Sequence, residues 1–215
     1  MKARILGDSQ AQGVGPALRD ALQAQGWQVL PILAKPGAGS KGVQALLPSG
    51  ADPSVGLVVV FSGSLEAPAA LAASVRQAYP AAKVQWFGSA PATIIGSLAA
   101  ANSVFSPVSK AIKSADHWFT NGTAAEREDR NRKLPALLPS DFQYVDWRAL
   151  ALPGAVTQPS GVAFPVLGDG IHVKGDLAKA VAAQWPFKGA GLGWAGWVAL
   201  GLGGGLAFAA WRRRR

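Results

Sequence analysis

Apolar positions along the chain fall into two alternating patterns. Short, dense apolar runs occur at 3–7 (ARILG), 27–34 (WQVLPILA), 56–63 (GLVVVFSG), 82–91 (AKVQWFGSAP) and 141–148 (DFQYVDWR). Their length and β-branched content read as strands. The run at 56–63 is apolar throughout, as a central parallel strand covered on both faces should be. Between the runs lie stretches with helical spacing: 14–24, a short helix after the glycine-rich turn 35–42, and 66–79. The stretch 123–138 contains EREDRNRK and reads as a helix with a solvated face rather than a binding site. The stretch 92–106 matches neither period. After a loop comes GDGIHVKGDLAKAVAAQW (168–185), a loop leading into a last helix. Strands alternating with helices predict an α/β fold, a three-layer sandwich around a central parallel sheet. No internal repeat is present.

The C-terminus follows another pattern. Residues 190–211, AGLGWAGWVALGLGGGLAFAAW, carry no charge and end in RRRR. About 22 residues at 1.5 Å each span ~33 Å, close to the roughly 30 Å of a bilayer core. Trp194 and Trp197 stand near one end and Trp211 at the other, as interfacial aromatics do. The division expected is a body at 1–188 and a single-pass membrane helix with an arginine tail at 189–215. Ala195, Ala199, Gly203 and Ala207 repeat every fourth residue, a small-residue ridge suited to self-association. The beginning of the chain reads as having no cleavable leader, because Lys2 and Arg4 precede too short an apolar run. Four arginines after the helix predict a cytoplasmic C-terminus. That orientation places the body outside with no signal to export it, a conflict that assembly into an envelope or virion membrane removes.

The formal net charge is +9, and four of the basic residues are the terminal arginines. No clustered basic and aromatic stripe marks the body as a nucleic-acid binder, so only the tail is suited to phosphate. There are no cysteines and only two histidines, His117 and His172. Disulfides, thiolate sites and a cysteine nucleophile are excluded, and no metal site or cofactor is expected. His117 stands without a carboxylate motif and reads as a structural residue. The tryptophans at 86, 118, 147 and 185 read as packing.

In open parallel sheets the functional groups gather beyond the C-terminal ends of the strands. Ser9 follows the first strand, Gly37 and Gly39 the second, and Ser62, Gly63 and Ser64 the central one. Asp169 and His172 precede the last helix. Nucleophilic acyl transfer needs a hydroxyl, an imidazole to take its proton, a carboxylate to orient the imidazole, and N–H donors for the oxyanion. The chain offers each.

GDSQAQG at 7–13 resembles the GDSxxxG opening block of the SGNH, or GDSL, hydrolases, and DGIH at 169–172 resembles their closing DxxH block. WFGSAP at 86–91 is similar to a strand turn found in many members. The resemblance covers roughly residues 3–187 and implies the flavodoxin-like fold of that family. It implies Ser9 as nucleophile, His172 as base and Asp169 as the partner of His172. It also implies an oxyanion hole from the Ser9 N–H, a second-block glycine and a third-block asparagine. Gly37 is the glycine chosen, with Gly39 the alternative. The third block departs from the family: GxND is replaced by GSLE at 63–66, so Leu65, which has no donor, stands at the asparagine position. Losing such a donor typically costs about 10²–10³ in turnover. The backbone or hydroxyl of Ser64 is the available substitute.

The resemblance and the membrane tail together imply a membrane-anchored serine esterase or O-deacetylase. Its partners would be an acyl-ester substrate, carbohydrate or another envelope ester, and a bilayer at 190–211. The competing expectation is a catalytically weak or inactive SGNH-like structural protein of a membrane assembly or phage virion.

Overall fold

The computed structural model describes residues 1–90, 124–150, 156–158, 161–163, 173 and 175–187. The elements are β1 (Lys2–Gly7), α1 (Ser9–Ala24), β2 (Gln28–Val29), β3 (Leu33–Ala34), α2 (Ser40–Gln44), β4 (Val55–Phe61), α3 (Pro68–Ala78) and β5 (Lys83–Phe87). After them come α4 (Ala124–Lys133), β6 (Phe142–Val145), β7 (Val156–Gln158), β8 (Gly161–Ala163) and α5 (Gly175–Ala182).

Six strands form one sheet in the order β2–β1–β4–β5–β6, with β3 also paired to β1, and every pairing is parallel. Side chains alternate across a strand, and β4 shows the result. Leu57, Val59 and Phe61 enter one apolar cluster, Val58 and Val60 the other. The first cluster is covered by α1 and α5 through Leu18, Leu22, Leu177 and Val181. The second is covered by α3 through Leu71 and Val75, and by Val43 of α2. Helices therefore lie on both faces, giving the three layers expected.

Three elements differ from the sequence reading. The helix expected at 14–24 begins at Ser9 and carries Pro16 within it. Its start is set by Asp8, whose Oδ1 accepts the N–H of Gln10 at 2.8 Å, the bond of an N-cap. The single strand expected at 27–34 is split into β2 and β3 around Pro31, which has no N–H for a ladder. Its carbonyl instead accepts from the Arg4 guanidinium at 2.6 Å. Finally, β7 and β8 form an antiparallel ribbon in what read as loop.

No helix among the described residues is long and apolar enough to cross a membrane. The span expected at 190–211 lies outside those residues.

Candidate active site

The sheet order places a switch point between β1 and β4. The chain leaves β1 toward β2 and β3, then crosses back to β4 on the other side. Open α/β sheets form their crevice beyond the C-terminal ends of such a strand pair. Ser9 and Ser62 to Ser64 follow these two strands directly.

The turn that carries Ser9 is held tightly. Asp8 donates its N–H to the Phe61 carbonyl at 3.0 Å, extending the β1–β4 ladder past the strand end. Gly7 lies at φ +154, and a Cβ there would stand 2.2 Å from the same carbonyl oxygen. Only glycine allows the two strand ends to approach this closely. Ser9 then occupies the first position of α1 and is half-buried. The N–H groups of a first helical turn have no partner within the helix, and the helix dipole makes that end attractive to negative charge.

The second loop continues from β3. Lys35 donates its N–H to the Gly7 carbonyl at 3.1 Å, which ties this loop to the Ser9 turn. The two candidate glycines have different surroundings. Gly37 lies at φ +69, exposed and with open space around it, where it makes the turn. Gly39 caps α2. A Cβ on Gly39 would stand 3.4 Å from Glu66 Oε2 and 3.7 Å from Ser64 Oγ. Gly39 is therefore the glycine that faces the third loop.

That loop is equally close-built. Ser62 is buried; its N–H donates to the Phe87 carbonyl at 3.0 Å, and its backbone carbonyl accepts from Trp86 Nε1 at 2.8 Å. A Cβ on Gly63 would fall 1.9 Å from Ser89 Oγ, so glycine is required where the loop after β5 crosses. Ser64 Oγ accepts the N–H of Glu66 at 3.2 Å. Leu65 packs on the cluster beneath α3. Glu66 reaches across to Lys41 Nζ at 3.1 Å, an exposed ion pair between the second and third loops.

Asp169, His172 and His117 lie outside the described residues. Val173, the residue after His172, is described and buried. Its N–H donates to Gln10 Oε1 at 3.1 Å, inside the protein, across 163 residues of sequence. This bond brings Val173, the residue after the DGIH run, to the residue next to Ser9.

Two groups around the site escaped the sequence reading. Gln10 read only as a spacer within GDSQAQG, ahead of the helix expected at 14–24, yet it lies in the first turn of α1 and is 6 % exposed. The charged run in α4 does not simply face solvent. Arg127 and Asn131, four residues apart and so on one helix face, are 3 % and 6 % exposed. Asn131 Oδ1 accepts the Ser89 N–H at 2.9 Å, and its Nδ2 donates to the Ser89 carbonyl at 2.8 Å. Arg127 Nη1 donates to the Ala90 carbonyl at 3.1 Å. Only the i, i+4 spacing within EREDRNRK hinted at this inward face.

Among the described residues no group of three or more histidine or acidic side chains is arranged to hold a metal ion.

No family model matches the chain, and no curated protein matches it. Several solved structures are similar in the course of the chain, two of them as follows. One is the C-terminal catalytic domain of Streptococcus pneumoniae peptidoglycan O-acetyltransferase A with a methylsulfonyl adduct, at TM-score 0.41 and 17% identity, covering 84% of this chain and 85% of that one. The other is the periplasmic domain of a lipopolysaccharide acetyltransferase of Salmonella ser. Paratyphi A, at TM-score 0.42 and 12% identity, covering 84% and 78%. Both are distant likenesses, and neither assigns a role to any residue of this protein.

Proposed function

We propose that this protein is an SGNH-type serine esterase that removes acyl groups from carbohydrate or other envelope esters. The observation that carries the reading is the arrangement at one sheet edge. Ser9 stands at a helix N-terminus, and Val173, which follows His172 in the chain, is bonded to the neighbouring residue.

In this reading Ser9 Oγ attacks the ester carbonyl carbon while His172 takes the hydroxyl proton and Asp169 orients the imidazole. The developing oxyanion accepts hydrogen bonds from the N–H groups of Ser9 and Gly39 and from the Ser64 hydroxyl. Ser64 is able to donate because its oxygen already accepts from Glu66, which leaves the O–H to rotate outward. Collapse of the intermediate breaks the bond to the alcohol oxygen, which leaves with the proton from His172. Water then attacks acyl-Ser9, gives its proton to His172, and releases the carboxylic acid and the serine. A sugar hydroxyl in place of water would carry out acyl transfer through the same first half. Residues 190–211 are read as the membrane anchor that keeps this chemistry at an envelope.

The test is hydrolysis of p-nitrophenyl acetate by the full chain beside Ser9→Ala. The expected outcome is turnover in the wild type and none above background in the variant, with unchanged circular dichroism. Equal rates in the two proteins reject the esterase. One observation favours the competing reading of an inactive structural protein: half-buried Leu65 packs against an apolar cluster at the position where the family places a donor asparagine. Equal rates would move the weight there.

A further inference from the structure

We propose that Ser89 is a positioning residue, which turns the peptide between Gly63 and Ser64 so that the Ser64 N–H faces the crevice and joins the oxyanion hole. This rests on the esterase reading above, and it supplies a backbone donor where Leu65 has none.

The sheet order sets which loops are neighbours. Beyond the strand ends the second loop, the Ser9 turn, the third loop and the turn after β5 follow one another as β3, β1, β4 and β5 do. The third loop is therefore flanked by the Ser9 turn on one side and by residues 88–90 on the other. Every residue of that second flank is held. Trp147 Nε1 donates to the Gly88 carbonyl at 3.1 Å, Asn131 takes both backbone groups of Ser89, and Arg127 takes the Ala90 carbonyl. From this fixed turn Ser89 Oγ donates to the Gly63 carbonyl at 3.4 Å.

The bond is long and so adds little energy. Its effect is on orientation. Gly63 has to be glycine, since a Cβ there would fall 1.9 Å from Ser89 Oγ and 2.5 Å from Ser89 N. Glycine leaves the backbone free to rotate, so no side chain at 63 fixes the plane of the next peptide. The bond from Ser89 does. In a planar trans peptide the N–H points opposite to the C=O. The Gly63 carbonyl faces the β5 side, so the Ser64 N–H faces the β1 side, where Ser9 begins α1. Gly39 lies toward the same side, with Ser64 Oγ 3.7 Å from where its Cβ would stand. Among the described residues the Ser64 N–H has no hydrogen-bond partner. It stands with the N–H groups of Ser9 and Gly39 and the Ser64 hydroxyl as a donor for the oxyanion.

Losing an oxyanion donor outright costs about 10²–10³ in turnover, and letting one swing costs part of that. On p-nitrophenyl acetate, Ser89→Ala should lower kcat by about 10-fold with KM little changed. Its urea midpoint should stay close to that of the wild type, because Asn131 and Arg127 hold the backbone of the turn and not the Ser89 side chain.

Crystal structures of the full chain, wild type and Ser89→Ala, give a readout that needs no turnover. The wild type should show the Gly63 carbonyl on Ser89, and Ser89→Ala should show that peptide rotated or in two orientations. A wild-type carbonyl turned away from Ser89 overturns the proposal, as does a peptide that keeps its orientation in Ser89→Ala. A rotated peptide with wild-type kcat overturns it too. A rotated peptide in a protein whose wild type shows no Ser9-dependent turnover upholds Ser89 as the orienting group and removes the esterase reading alone.

Discussion

Ser64 and Leu65 divide the third loop between the proposed chemistry and packing. Leu65 is half-buried and packs against the apolar cluster on the α3 face of the sheet. Asparagine there would give up part of that apolar contact and set an amide against the cluster's edge. Leu65→Asn should therefore lose about 1–2 kcal/mol of stability and gain no turnover. Ser64 faces Gly39 instead. Ser64→Ala should keep stability nearly unchanged and lower kcat by about 10²-fold, as loss of an oxyanion donor does. Urea unfolding and ester hydrolysis on the two variants separate the effects. If Leu65→Asn is faster than wild type, that residue, not Ser64, controls the hole. Residues of this kind were only partly legible. GDS was legible because the turn after β1 needs glycine at position 7 and a capping side chain at position 8, while DGIH lies outside the described residues. The burial of Gln10 was not legible, because its hydrogen-bond partner lies 163 residues away.

Elements were legible where one physical signal dominated. The run VGLVVVF announced β4 because a strand buried on both faces needs nothing but apolar residues. Gly13, Gly15 and Pro16 look like helix breakers, yet α1 runs through all three from its Asp8 cap, five residues before the start expected at 14. In the fold Gly15 is needed instead, since a Cβ there would stand 3.1 Å from Ile32 Cδ1. The strand at 27–34 was misread because a β pattern continues through Pro31 while the ladder cannot. For α4 the net charge outweighed a quieter signal, the pair Arg127 and Asn131 on one face. That pair grips the backbone at Ser89 and Ala90, where the chain leaves β5. Asn131→Ala would strand the N–H and the carbonyl of Ser89 in a part-buried site. The expected loss is about 2–3 kcal/mol. A chemical-denaturation midpoint shifted by less than about 0.5 kcal/mol would mean that other contacts hold the loop. Two other α4 pairs, Arg132 and Lys133 with Asp129, are solvent-exposed at 3.5 and 2.6 Å and should matter far less.

Across the whole molecule, charge and burial set opposite limits to stability. The chain carries a formal +9 at neutral pH, so protonating carboxylates in acid adds to an existing self-repulsion. Asp52 and Asp129 contribute in the same direction. Hydrogen bonds from Ser54 to Asp52 and from Lys133 to Asp129 hold both carboxyls below their ordinary range. A depressed folded value gives stability that is complete above the unfolded value near 4 and is lost as pH falls through the folded one. Both groups are exposed, so their share of the acid limb is small. Tyr79 governs the other end. It is fully buried at the end of α3, and burial pushes its phenol above the usual value, with the Arg4 charge opposing in part. The unfolded phenol ionises near pH 10, and the folded one holds its proton longer. Stability from this group is therefore complete below about pH 10 and is lost as pH rises through the folded value. Melting temperature against pH should fall on both sides of neutrality. Tyr79→Phe has no proton to lose, so it should flatten the alkaline limb while leaving the acid limb as it was. An alkaline limb of unchanged steepness in Tyr79→Phe would mean that lysine deprotonation, not this buried phenol, sets the upper limit.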